Sequence, residues 1–351
     1  MSIEFDPSIL FDSFFSFLNL PADQMLLKLF FTVGWIPLTY VFLWGALEIW
    51  LDYIRGQWGS KQKFTLLAID IPKNNEQSPK AVENLFTYLL GAHGTNNLID
   101  EYWIGKYQLC FSAEIVSIEG YTQFLIHTPV NFRDLVEAAV YSQYPDAEIT
   151  EVDDYAQFGP VKFPDPEYDI WGTDFIPVKD QAYPIKTYPS FEHMLGDPKT
   201  NFRDPINALM SLCSALGKGE QLWFQLVIKP ESYDWTKDSE NEVKKILKET
   251  VAAPKSGVEN AIEFIMGIFG ALAGPFLEII GMGGSAAAEV KSDPLKMMNL
   301  KPNEKKKVEM IQEKANKGGF KTKVRMVYLA RKEVMNKPKV VNGFVGFLKQ
   351  Y

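Results

Sequence analysis

The sequence predicts an α+β chain in which an N-terminal transmembrane helix precedes two α/β units. Three observations carry this. Leu29–Leu47 holds nineteen consecutive residues without a charge. After Ser60 the apolar residues alternate between the period of two that marks a half-buried strand and the i, i+3, i+4 spacing of a helix face. The segments so marked follow one another as strand, helix, strand, strand, helix, strand, the order of the split β-α-β, or ferredoxin-like, arrangement.

The uncharged run comes first. Nineteen residues at about 1.5 Å each nearly match the ~30 Å hydrocarbon core of a bilayer. Lys28 and Glu48 flank it, and Trp50 and Tyr53 suit the headgroup level. Pro37 would break a soluble helix but is tolerated in lipid. The competing reading is a buried core helix, against which the length and the absence of a polar face argue. Acidic Glu4, Asp6, Asp12 and Asp23 replace the basic start of a signal peptide. Arg55, Lys61 and Lys63 follow the run and only Lys28 precedes it, which predicts a single-pass protein with its C-terminal body in the cytoplasm. Upstream, Phe11, Phe14, Phe15 and Leu18 give Ser8–Pro21 one apolar face, read as an interfacial helix or a contact with a second copy. The organisation expected is an interfacial segment over 1–24, a transmembrane helix over 25–55, a first ferredoxin-like domain over 60–158 and a second α/β domain over 159–351.

In the first domain, Phe64–Pro72 reads as a strand closed by proline. Ser78 and Pro79 open a helix with Val82, Leu85, Phe86 and Leu89 on one stripe. Leu109, Phe111, Ala113 and Ile115 alternate on a second strand, and Gly120 turns it back into Tyr121–Thr128 as a hairpin. Asn131 is placed to cap a helix whose Phe132, Leu135, Val136, Ala139 and Val140 point inward. Pro145 ends it, and Ala147–Val152 returns as a strand.

Gln157–Gly172, rich in proline, reads as a linker or a strap. Strands are expected at Tyr168–Val178, Ala182–Tyr188, Gln221–Pro230 and Lys321–Arg331, with helices from Asp204, over Lys237–Val251, over Pro302–Asn316 and from Val340. A second ferredoxin-like unit with an insertion, 256–290, accounts for them. Within the insertion Phe264–Leu277 is uncharged over fourteen residues, too few to span. Gly267, Gly270 and Gly274 line it with small residues, the last two four apart, while Phe264, Phe269 and Leu277 supply apolar bulk. The segment is read as a membrane or partner contact, against the plainer reading of an apolar loop.

The formal charge is −8 but unevenly spread. Residues 291–351 hold 16 Lys and Arg against 5 Asp and Glu, net +11, and the remainder holds 20 against 39, net −19. Lys305, Lys306 and Lys307 mark a basic surface that suits an anionic partner, nucleic acid included, or is simply a solvated helix face. Cys110 and Cys213 cannot build a disulfide framework. His93, His127 and His193 are not at metal-ligand spacing, no GxxxxGK[ST] phosphate loop occurs, and no GxSxG elbow occurs. The reading is of a chain without catalytic, cofactor or metal residues.

The stretches FSAEIVSIEG, FLIHTPVNFRDLVEAAVYSQYPDAEITEVDDY, YDIWGTDF, AYPIKTYPSFE, GEQLWFQLVIKP and VRMVYLARKEVMN resemble a bacterial family. It comprises membrane-anchored α/β regions attached to, or encoded beside, conjugation-type (type IV) secretion ATPases, and is common in small-genome candidate-phylum bacteria. The resemblance covers roughly Phe64–Tyr351. It implies a non-catalytic structural component at the inner membrane, docking on itself as a homo-oligomer or on a P-loop ATPase. The alternative is a membrane-tethered nucleic-acid-binding module that uses the basic C-terminal region.

Overall fold

The structure, a computed structural model, describes residues 21–72, 77–160, 162–191, 206–247 and 300–351. They divide into two compact units. One comprises the chain up to Lys63 together with Gly94–Gln108; the other comprises Phe64–His93 and Leu109–Tyr351.

In the first unit, helix α1 (Ala22–Leu29) runs into a π turn (Phe30–Gly34) and then helix α2 (Trp35–Gly59). The π turn has a sequence cause. Pro37 has no N–H to offer the Val33 carbonyl and its ring crowds that position, so the ladder widens one turn ahead of it. The expectation of a transmembrane helix is overturned: among the described residues no helix is long and apolar enough to cross a membrane. The uncharged run is divided by the π turn, and α2 carries Glu48, Asp52 and Arg55 in its second half. Regular uncharged helix is left only from Trp35 to Leu47, about 20 Å at the α-helical rise.

Among its described residues the second unit is built on one sheet of seven antiparallel strands in the order β4-β1-β3-β2-β6-β7-β5. The strands are β1 (Phe64–Asp70), β2 (Phe111–Ile118), β3 (Tyr121–Pro129), β4 (Glu148–Val152), β5 (Tyr168–Phe175), β6 (Glu220–Pro230) and β7 (Phe320–Arg331). The two separate α/β units expected from the sequence are thus corrected to a single sheet. Its first four strands lie in the split β-α-β order 4-1-3-2. The last three lie in the mirrored order, with β2 and β6 joined along eight residue pairs from Phe111↔Ile228 to Ile118↔Gln221. Glu119 and Gly120 turn β2 into β3 with φ of 53° and 88°, the two positive values that a two-residue hairpin requires.

Helices cover one face. Helix α3 (Lys80–Leu89) and helix α4 (Arg133–Gln143) pack on the first four strands, burying Leu85, Leu89, Val136, Ala139 and Val140 against Leu67, Phe111 and Ile126. Helix α5 (Ile206–Ser214) and helix α8 (Lys337–Leu348) cover the rest, with Leu209, Cys213, Val340, Phe344 and Phe347 against Ile115, Leu222, Met326 and Tyr328. Helix α6 (Thr236–Ile246) and helix α7 (Pro302–Ala315) lie between β6 and β7 in the chain. The two halves therefore share a plan: strand, helix, strand, strand, helix, with α6 and α7 added to the second.

Three local expectations are corrected. Ser78 does not cap α3; its carbonyl accepts from the Ala81 N–H, and the buried stripe turns to Ala81, Leu85 and Leu89, leaving Val82 exposed. Asn131 lies inside a 3₁₀ turn (Val130–Phe132) rather than at a cap. Ala182–Tyr188 forms no strand, for Pro184 has no N–H and the carbonyls of Gln181 and Tyr183 are taken by Lys314 Nζ.

Candidate functional site

Two surfaces stand out. The first lies within the N-terminal unit. Along α2 the four consecutive residues Val41, Phe42, Leu43 and Trp44 are 59, 75, 67 and 57% exposed. Successive helical positions are about 100° apart, so these four leave every side of the helix bare and apolar. Thr39 turns its hydroxyl back onto the Trp35 carbonyl at 2.8 Å, which satisfies that donor within the helix.

The C-terminal half of α2 carries a collar of aromatic side chains, of which the sequence reading named Trp50 and Tyr53 but not the loop residues that complete it. Gly94–Gln108 folds back on the helix. Trp50 Nε1 donates to the Tyr102 carbonyl at 2.8 Å, and the Trp50 and Trp103 rings lie 5.9 Å apart. Trp58 meets Tyr107 edge-on at 4.9 Å, and Arg55 faces Glu101 at 3.7 Å. Gly105 makes the approach close: with φ of 74°, a Cβ there would stand 2.5 Å from the Ile54 carbonyl carbon. The loop closes on itself through Asn97 Oδ1 with the Asp100 N–H (2.8 Å), Lys106 N–H with the Asp100 carbonyl (2.8 Å), and Gln108 Oε1 with the Gly94 N–H (2.9 Å). No helical or strand period announces it; its only sequence signal is the aromatic density of Tyr102, Trp103 and Tyr107.

The second surface is the sheet face opposite the helices. A strap from Tyr155 crosses it between β4 and β5, close enough at Gly159 that a Cβ would meet Leu329 Cδ2 at 2.6 Å. Under the strap Tyr155 donates to Glu114 Oε2 at 2.6 Å and accepts from Gln225 Nε2 at 2.7 Å. Burial, with the Glu114 carboxyl beside it, pushes the Tyr155 hydroxyl well above the ordinary phenol range. Beside it lies an open cleft of about 450 Å³ bounded by Tyr121, Gln123, Asp153 and Phe158. On the same face, alternation along β7 aligns Lys321, Lys323 and Arg325, with Lys229 paired to Lys321 across the strands. Asp174 offsets part of this charge: Lys323 sits 2.8 Å and Arg325 3.1 Å from its carboxylate, and those hydrogen bonds hold it below the usual range.

Phe264, Gly267, Phe269, Gly270, Gly274 and Leu277 lie outside the described residues, as does Ser8–Leu20. Lys305, Lys306 and Lys307 are exposed on α7. Being consecutive they point to different sides rather than converging. Lys314 on the same helix is half-buried, its ammonium on the carbonyls of Gln181 and Tyr183, and burial lowers its pKa. Among the described residues no group of three His, Cys, Asp or Glu is placed to hold a metal ion.

No curated protein and no solved structure matches the chain. Residues 65–343 match the model of a family described as a domain of unknown function (DUF8128), a span that takes in the sheet and the loop Gly94–Gln108, and the chain belongs to that family.

Proposed function

We propose that this protein is a non-catalytic, membrane-associated scaffold of a conjugation-like secretion apparatus, docking on its own copies or on a P-loop ATPase at the cytoplasmic face of a bacterial inner membrane. The observation that carries the membrane part is the ring of exposed apolar side chains on α2, from Val41 to Trp44. A protein partner covers one side of a helix; a short stretch apolar on every side suits contact with a lipid surface without crossing it. The secretion part rests on the resemblance of FRDLVEAAVYSQYPDAEI and its companion stretches to regions found beside such ATPases. Here that stretch is α4 and β4, and its helix backs the sheet through Val136, Ala139 and Val140. The test is expression of the full chain with a P-loop secretion ATPase from the same genome, followed by fractionation and affinity capture. Recovery in the membrane fraction with the ATPase is expected. A freely soluble chain that captures neither itself nor the ATPase refutes the reading. So does nucleotide hydrolysis that follows the purified polypeptide through every step.

A second reading has its own observation, the row of Lys321, Lys323 and Arg325 beside Lys229. A nucleic-acid-binding module would lose affinity linearly in log–log terms as salt rises, by a slope of about 0.7 per single-strand phosphate contacted. Lys321→Glu with Lys323→Glu should then abolish binding, whereas binding that ignores both salt and these changes excludes this surface.

A further inference from the structure

We infer that the loop Gly94–Gln108 is a second lipid-contacting element, seated in the headgroup region of a membrane beside α2. The inference rests on the membrane reading above and adds the part of the chain that sets the depth. Leu98, Ile99 and Trp103 are 75, 67 and 74% exposed, three large apolar side chains in a six-residue stretch of an otherwise well-tied loop. The tie is to α2, through the Trp50 indole on the Tyr102 carbonyl and the Trp50–Trp103 ring contact.

The place of that tie along the helix decides the occupant. Before Glu48 the helix is uncharged and bare on all sides. At Trp50 and Tyr53 it is aromatic, and the loop adds Tyr102 and Trp103 there. Beyond them come Arg55 with Glu101, then Lys61 and Lys63. Glu48 and Asp52 are exposed at the same level as Trp50 and Tyr53, so the helix passes from an uncharged stretch to a level where aromatic rings and carboxylates mix and then to Arg55, Lys61 and Lys63. Rings with polar tips beside charges suit the headgroup level of a lipid surface, where Trp and Tyr collect. A docking protein would need one apolar patch with a polar rim, whereas here the apolar character encircles α2 and the loop widens it at one level only. The loop is also built for low water activity: Asn97, Asp100 and Gln108 satisfy its turns from within.

The test uses the full chain and vesicles of phosphatidylethanolamine and phosphatidylglycerol. An NBD fluorophore is attached at Ile99→Cys in a Cys110→Ser background, with the buried Cys213 left in place, and at Val178→Cys as the control in a fully exposed loop of the other unit. The expected result is flotation with the vesicles and a blue shift at position 99 that headgroup-level quenchers suppress, with no shift at 178. Flotation with position 99 unshifted overturns the loop's role and leaves the membrane reading standing. Failure to float at all overturns both. Leu98→Ser, Ile99→Ser and Trp103→Ser together should lower vesicle partition roughly tenfold or more. Partition unchanged in a variant with native far-ultraviolet dichroism and melting also refutes the inference. Should the triple variant misfold, the single-site fluorophore decides alone.

Discussion

Replacing Tyr155 with phenylalanine removes one oxygen from the middle of the sheet's open face. In the wild type that oxygen donates to Glu114 Oε2 at 2.6 Å and accepts from Gln225 at 2.7 Å, on a ring 6% exposed and stacked edge-on with Trp223 at 5.0 Å. The ring packing survives the substitution, so the loss is polar. Each of the two hydrogen bonds contributes about 1 kcal/mol net, and leaving the carboxyl of Glu114 (also 6% exposed) without its donor costs about 1–2 kcal/mol more, for a total of about 3–4 kcal/mol. For a unit of this size that lowers the melting temperature by roughly 5–12 °C. Urea titration followed by far-ultraviolet dichroism measures it, with Tyr121→Phe, whose ring is exposed, as the neutral control. A Tyr155→Phe variant within about 0.5 kcal/mol of wild type would show that water or a rearranged strap replaces the hydroxyl at no cost, and the network would then hold nothing together.

Gly105→Ala should free the loop from α2, since the left-handed backbone and the 2.5 Å approach to Ile54 together cost about 2–4 kcal/mol; loss of hydrogen-exchange protection at the Trp50 indole N–H reports it, and retained protection contradicts the geometry. The Glu83 carboxyl is held below the usual range chiefly by its hydrogen bond from Lys317 at 2.7 Å. A lowered folded value contributes stability that is present above the unfolded pKa of about 4.3 and is lost as pH falls through the folded one. Wild type and Glu83→Gln should therefore differ by up to about 1 kcal/mol at pH 7 and converge in acid, and a gap that widens in acid has the sign wrong. Burial raises the thiol of Cys110 and pushes that of Cys213 up to about 11. Maleimide at pH 7.5 should modify Cys110 slowly and reach Cys213 only on unfolding; mass spectrometry of the native protein finding Cys213 modified first would refute that placement.

What could be read in advance was local. The alternation of Leu109, Phe111, Ala113 and Ile115 and the glycine at 120 determine a hairpin without help from the rest of the chain. That β2 also pairs with β6 is different. Ser112 and Val227 meet across 114 intervening positions, and no nearby residue signals it. Two units read from sequence thus become one sheet. The uncharged run was visible as such, but the consequence of Pro37 for the ladder, and of Glu48, Asp52 and Arg55 for its usable length, outweighed its count of apolar residues. For the site, the sequence singled out the insertion around Gly270, which lies outside the described residues, and three lysines on α7 that do not converge. It passed over Gly94–Gln108, because a loop held by tryptophan, asparagine and one left-handed glycine has no period to detect.

The two ends of the sheet are not alike. On β1 the outer edge is occupied by β4; the corresponding edge of β5 meets no strand among the described residues. Two of its outward N–H groups are nonetheless taken: Asp165 Oδ1 accepts from Tyr168 at 2.8 Å and Asp169 Oδ1 from Ile170 at 2.9 Å. Each carboxylate closes a backbone donor that an incoming strand would need, and that of Asp169 is itself paired with Lys337 at 3.0 Å. The consequence is colloidal. Two copies at high local concentration can bring these sheet edges together without their zipping into a common ladder. Gly172 and Asp174, further along, are the positions at which such pairing would have to start.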